Sequence, residues 1–247
     1  MKHTRLLMGM PITVEVVDPF VTQEDLDKVF SYFAWVDTIF STYKTTSDIS
    51  KINHGELSPA QYSDTMRAVL TLSEQTKEET DGYFDIQRDG VYDPSGIVKG
   101  WAIRNAAHQL EVRGFRNFAV DAGGDIQVAG HKDGHPWRIG IRNPFHRTEH
   151  VKVLTLTDQG VATSGTTIRG QHIYDPYHPG KAILDVVSIT VLATNVYDAD
   201  RFATAAFAMG TRGIYFLEKV AGLEGYMIDA QGRATFTSGF ERYVCHQ

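Results

Sequence analysis

Two short segments of this 247-residue chain hold residue types that could do chemistry together. In Asp93-Pro94-Ser95-Gly96-Ile97-Val98-Lys99-Gly100, an acid, a turn and a lysine lead into an apolar-periodic helix marked by Trp101, Ala102, Ile103, Ala106 and Leu110. Backbone N–H groups freed at a helix start are the usual basis of anion and phosphate sites. Lys99 sits where the helix dipole disfavours a cation, which a bound anion would explain better than solvent does. In Ala199-Asp200-Arg201-Phe202-Ala203-Thr204, a carboxylate and a hydroxyl stand four residues apart, on one helix face. Both are oxygen ligands suited to Mg²⁺. An acid near a helix start also stabilises the helix by itself. However, Phe202, Ala203, Ala205, Ala206 and Phe207 mark this helix as largely buried, and a carboxylate inside it needs a partner. A phosphate cradle and a hard-cation ligand pair point to metal-assisted chemistry on a phosphorylated molecule.

Further candidates are weaker one by one. Gly123-Gly124-Asp125 lies between two apolar runs, where paired glycines let backbone approach a flat or phosphorylated ligand, or simply relax a strand connection. It is not the dinucleotide fingerprint, because the spaced third glycine and the opening helix are missing. Thr163-Ser164-Gly165-Thr166-Thr167 reads as a hydroxyl-rich turn, followed by His172-Ile173-Tyr174-Asp175-Pro176. A lone histidine is more often structural than catalytic, but the nearby hydroxyl-rich segment favours a role for His172. Tyr43, Tyr83 and Phe84 lie beside polar loops where a ring system could stack.

The elements that must position these groups follow from periodicity. Residues 10–17 alternate and are β-branched, a strand after the Gly9 turn. Thr22 is placed to cap a helix running to about Phe40, its apolar face formed by Leu26, Val29, Phe30, Phe33, Val36 and Phe40. A polar loop is expected from Ser41 to about Pro59, then a helix from about Gln61 to Thr80. Strands are predicted at 115–120, 126–129, 137–141, 151–156, 171–175 and 184–192. Helices are predicted at 198–209 and 212–220, with a closing hairpin around Asp229-Ala230-Gln231-Gly232. This mixture has no regular strand–helix beat, so the expectation is an α+β fold of mixed, mainly antiparallel sheets with packed helices. No fixed-period repeat or linker is visible, and 1–247 reads as one domain.

Composition limits the partners. With 42% hydrophobic and 22% charged residues the chain is that of an ordinary globular protein. A net charge of −6 argues against general nucleic-acid binding. Cys245 is the only cysteine, so an intrachain disulfide or Cys-rich zinc site is excluded. The Leu6-Leu7-Met8 run is short for a signal-peptide core, and no stretch approaches the ~20 apolar residues of a membrane helix. The expectation is no membrane insertion and a cytoplasmic location.

Taken in order, these segments resemble the FAD:protein FMN transferase (ApbE) family over nearly the whole chain. Met8-Gly9-Met10 is similar to that family's opening Met-Gly-Thr. Phe40-Ser41-Thr42-Tyr43, with Ser47 to Asn53, resembles its early Ser/Tyr loop. Gly82-Tyr83-Phe84-Asp85-Ile86 resembles its Gly-x-Phe-Asp element, and Asp93 to Gly100 its Asp-x-x-x-x-x-Lys-Gly element. Gly123-Gly124-Asp125, Ala162-Thr163-Ser164-Gly165, His172 to Pro176 and Ala199-Asp200 with Thr204 complete the series.

The resemblance implies binding of FAD with Mg²⁺, or Mn²⁺ in its place, and cleavage of the FAD pyrophosphate. FMN would pass to a Ser or Thr of an acceptor flavoprotein and AMP would leave. It further implies that Asp200, Thr204 and the Gly96 carbonyl hold the metal, and that His172 activates the acceptor hydroxyl. FAD contacts fall on Met8, Tyr43, Phe84, Asp85, Asp93, Lys99, Gly123, Gly124, Ser164 and Ile173. An FAD pyrophosphatase and a non-catalytic flavin-delivery protein are the alternatives; the presence of Asp200, Thr204 and His172 argues against the second. Two features depart from the family pattern. Only Gln87 to Tyr92 separate the Phe-Asp and Asp-x-x-x-x-x-Lys-Gly elements, where many members carry several tens of residues. Asp175-Pro176-Tyr177-His178-Pro179-Gly180 replaces Asp-Pro-x-Thr-Gly and adds a second histidine, His178.

Overall fold

The computed structural model describes residues 1–146, 148–166 and 173–245. Among these residues, eight strands form one antiparallel sheet. It opens with the hairpin β1 (Lys2–Leu7) and β2 (Met10–Val16). Next to β2 lie β5 (Phe118–Ala122) and β6 (Asp125–Ala129), then β9 (Gly160–Gly165) and β10 (Val186–Ala193). The closing hairpin β11 (Glu224–Asp229) and β12 (Ala234–Phe236) completes the order. Two small hairpins stand apart from it: β3 (Gln87–Arg88) with β4 (Val91–Tyr92), and β7 (Trp137–Arg142) with β8 (His150–Leu156).

The helices follow local chemistry. Helix α1 (Gln23–Phe40) starts at a capping box in which Thr22 accepts from the Asp25 N–H and the Asp25 side chain answers the Thr22 N–H. The polar loop expected after it contains a further turn of helix, α2 (Asp48–Asn53), capped by Ser47. Six residues lack the length for a periodic signal, so only the serine cap was there to mark it. Helix α3 (Asp64–Glu79) starts at Ser63, slightly later than the sequence pattern suggests, because Ser63 accepts from the Met66 N–H. Helix α4 (Ser95–Val112) and helix α5 (Val196–Ala208) pack side by side on one face of the sheet. Helix α6 (Gly213–Leu217) is shorter than the expected 212–220, because a 3-10 turn over Gly210–Arg212 takes its start.

Burial explains the layering. Ile12, Val14 and Val16 of β2 and Val120 of β5 join α1 and α4 in one cluster. Ile189, Val191 and Ala193 of β10 meet Ala199, Ala203 and Phe207 of α5 in a second. On the opposite face Leu192, Val161 and Val128 pack against Trp137, Ile141 and Leu154 of the β7–β8 hairpin. β10 is therefore covered on both sides, which is why it reads as a nearly continuous apolar run. Arg201 ties α5 to α3 through Glu79 and stacks 4.1 Å over Phe202. Among the described residues no helix is long and apolar enough to cross a membrane.

Candidate active site

The two chemistry-bearing segments meet where α4 crosses α5. The start of α4 differs from the expected anion cradle. The helix begins at Ser95, and the Asp93 carboxylate accepts the Ser95 N–H at 3.0 Å, so part of the helix start is capped from within the chain. Lys99 then falls in the second turn and points inward. Its Nζ lies 2.5 Å from Asp125 Oδ2 and 3.7 Å from Asp200 Oδ1. Carboxylates of the protein thus explain its position, where the sequence suggested a bound anion.

Asp200 is 3% exposed, and its Oδ2 accepts the Gly100 N–H at 2.7 Å. Burial raises its pKa well above the ordinary carboxylate range; the Lys99 ammonium pulls it back and the Asp125 carboxylate pushes it further up. One turn along, Thr204 Oγ1 donates to the Gly96 carbonyl at 3.4 Å and lies 3.5 Å from Ser164 Oγ. Gly96 permits this closeness: a Cβ there would stand 3.0 Å from Thr204 Cγ2 and 3.3 Å from the Phe84 ring.

The oxygen donors are therefore one backbone carbonyl, the hydroxyls of Thr204 and Ser164, and the Asp200 carboxylate. That set has no soft ligand and suits a hard cation. Among the described residues no three His, Cys, Asp or Glu side chains are grouped to hold a metal by themselves. Mg²⁺ fits that pattern, because it is commonly held by one or two carboxylates and completed by water and substrate phosphates.

Ser164 reaches this place because 163–165 belong to β9, correcting the expectation of a turn. Ser164 pairs with Ile189 of β10, and the whole stretch from Gly160 to Gly165 runs in register with that strand. Hydroxyl-rich residues that look like a turn in isolation are held extended by their neighbours. Residues 173–175, expected to end a strand, have no regular structure, and His172 lies outside the described residues.

The remaining predicted site residues divide. Met8 (φ 51°) and Gly9 (φ 73°) form the β1–β2 turn. This turn lies beside the Gly123-Gly124 turn, since the Gly123 N–H donates to the Pro11 carbonyl at 3.1 Å. Both glycines have positive φ, which the tight β5–β6 connection requires. Asp85 is bound to Lys77 at 2.8 Å and accepts the Gln87 N–H. Phe84 is 2% exposed and packs in the first core cluster; its ring supports Gly96 from below and has almost no surface to stack on a ligand. Tyr43 is the opposite case, 95% exposed between α1 and α2 with its ring uncovered. Ile173 is half-buried against the second core cluster.

The altered loop after it is anchored. The Tyr177 hydroxyl donates to the Asp81 carbonyl, and its ring lies 4.9 Å from that of Tyr83. His178 Nδ1 stands 2.8 Å from Asp175 Oδ2.

Two residues of the site had no assigned role from sequence. Asp125, 2% exposed, accepts the Thr163 N–H at 3.0 Å and grips Lys99. Gln127 accepts the Val196 N–H at 2.8 Å and so caps the start of α5. The available signal was two polar residues at i and i+2 on the inward side of a short apolar strand. Asp121, next along, accepts the Gly124 N–H; burial, and the charge of Asp125, raise its pKa.

Comparison with known proteins identifies the fold and the family. A Vibrio cholerae FAD:protein FMN transferase is 37% identical over 129 residues, 48% of this chain and 38% of that relative's length. An Escherichia coli protein of the same name is 24% identical over 89% of this chain and 78% of its own. The solved flavin transferase ApbE of Vibrio cholerae superposes with a TM-score of 0.84 at 23% identity, covering 98% of each chain, which speaks for the fold. The model of the ApbE family matches residues 8–93 and 87–227, spanning the turns, helices and strands that converge at Asp200, and by that match the chain belongs to the ApbE family.

Proposed function

We propose that the chain is an Mg²⁺-dependent FAD:protein FMN transferase. The observation that carries this reading is the Thr204 hydroxyl of α5 lying 3.4 Å from the Gly96 carbonyl of α4 and 3.5 Å from the Ser164 hydroxyl of β9, with the buried Asp200 one turn away on the same helix. Relatives bearing that name share the family. Asp200, Thr204 and Gly96 would hold the metal. Bound there, Mg²⁺, or Mn²⁺ in its place, would neutralise charge on the FAD pyrophosphate and on the departing AMP.

The chain's own residues do the rest. Turns at Met8-Gly9 and Gly123-Gly124 would let backbone come close to the dinucleotide, and Asp93, Lys99, Ser164 and Ile173 are the further FAD contacts that the family resemblance implies. Phe84 would act indirectly, by packing against Gly96, and Asp85 by holding Lys77. His172 takes the proton from a Ser or Thr hydroxyl of the acceptor flavoprotein. That oxygen bonds to the FMN phosphorus as the bond from this phosphorus to the bridging oxygen breaks, and AMP carries the electron pair away. Positioning supplies much of the acceleration.

The test is incubation of the purified chain with FAD, Mg²⁺ and flavoprotein fragments that contain candidate Ser or Thr sites. The expected result is AMP release together with a fluorescent flavin band on a denaturing gel. AMP release with no labelled protein for any fragment would favour a pyrophosphatase; neither product would remove the catalytic reading.

A further inference from the structure

The carboxylates around Lys99 are arranged in a way that metal ligation by itself does not explain. Asp125 and Asp200 are both buried, and each has one oxygen pinned by a backbone N–H: Thr163 on Asp125 Oδ1 and Gly100 on Asp200 Oδ2. The other oxygen of each turns toward the same Lys99 ammonium. The two arms are unequal, 2.5 Å to Asp125 and 3.7 Å to Asp200. Two buried carboxylates this close need a counter-charge, and a lysine provides one on a flexible four-carbon stem.

We infer that Lys99 is the built-in counter-cation of the metal site and that Asp125 is a positioning residue holding it aside, so that Asp200 Oδ1 can exchange the ammonium for a divalent cation. The short arm to Asp125 keeps the ammonium in place while the long arm is given up. The buried pair is thus compensated before the metal arrives, and the protein's own cation does not block the metal's ligand. The inference rests on the reading above for the presence of a divalent cation, and on the distances for everything else.

Mg²⁺ alone is the probe, titrated calorimetrically into the full chain without FAD or acceptor. Asp125→Asn keeps the shape and still accepts the Thr163 N–H, but no longer attracts the ammonium. Lys99 then moves wholly onto Asp200, and Mg²⁺ affinity is expected to fall roughly 10-fold or more, as is typical when a group supporting a metal ligand is removed. Lys99→Met removes the competitor, so affinity should rise when the titration is run in alkaline buffer, where Asp200 stays ionised without the ammonium. In the Lys99→Met background, Asp125→Asn should no longer weaken Mg²⁺ binding, because there is no ammonium left for Asp125 to hold aside.

A merely structural Asp125 would weaken binding equally in both backgrounds, and that result overturns the inference. So does wild-type affinity in Asp125→Asn. Should Asp125→Asn fail to fold, Lys99→Met still decides: unchanged or weaker Mg²⁺ binding refutes a competing ammonium. Flavin transfer by the wild type is scored separately. Transfer without these affinity shifts removes this inference alone, and the shifts without transfer remove the transferase reading alone.

Discussion

Gly100 sets how closely α4 and α5 approach, and Gly100→Ala puts a number on it. A Cβ at this position would stand 2.6 Å from Asp200 Cβ, 2.8 Å from the Val196 carbonyl oxygen and 3.0 Å from Asp200 Oδ2. The first two are anchored to the α5 backbone and cannot rotate away, so the helices must separate. Overpacking of this kind costs about 1–3 kcal/mol. Separation also stretches the 2.7 Å bond from the Gly100 N–H to Asp200, a hydrogen bond to a charged group worth roughly 1.5–3 kcal/mol. Alanine returns up to about 1 kcal/mol through its higher helix propensity. The balance is a loss of about 3 kcal/mol. A chain of this size shifts by roughly 2–4 °C per kcal/mol, so the unfolding midpoint should drop by about 6–12 °C. Thermal unfolding followed by far-UV circular dichroism reads this directly. A midpoint within about 2 °C of wild type, well short of that shift, would refute the claim that contact at Gly100 determines the helix spacing.

Three further outcomes are expected. Asp200→Asn preserves an acceptor for the Gly100 N–H and should fold, but Mg²⁺-dependent AMP release should vanish; release at the wild-type rate would take Asp200 out of the metal site. At saturating FAD, His172→Asn should lose flavin transfer by roughly 10²-fold while FAD binding holds. Loss in His178→Asn with His172→Asn unaffected would instead move the base to the histidine paired with Asp175. Burial opposes ionisation of Asp18, but N–H donors from Arg116 and Asn117 win and hold its pKa below the ordinary 3.8. A depressed carboxylate stabilises the fold above its unfolded value and loses that contribution as pH falls through the native one. Asp18→Asn should therefore cost roughly 2 kcal/mol at pH 7, the scale of hydrogen bonds to a charged group. The gap should close in strong acid, and urea titrations showing the same gap at both pH values would contradict the assignment.

Several features were legible in the sequence because their causes are local. Thr22 and Asp25 form a capping box within four residues, so the start of α1 could be read directly. The Gly123-Gly124 connection was readable as a strand turn because its positive φ values favour glycine. Asp200 and Thr204 share a helix face by period alone, and the apolar neighbours of Asp200 foretold its burial.

What tertiary structure decided is what depends on distant partners. Thr163, Ser164 and Gly165 have turn-forming composition, yet pairing with Ser188 to Thr190 holds them in a strand. Phe84 and Tyr43 look alike as aromatic residues beside polar loops. One is sealed beneath Gly96 and the other stands in the open, since burial of a ring depends on what packs over it. That Lys99 also meets two carboxylates was hidden from the sequence, because they lie on β6 and α5, 26 and 101 residues away along the chain. Local pattern reports which groups can ionise or ligate. Which charges neutralise one another is settled only when the chain folds and removes the water between them.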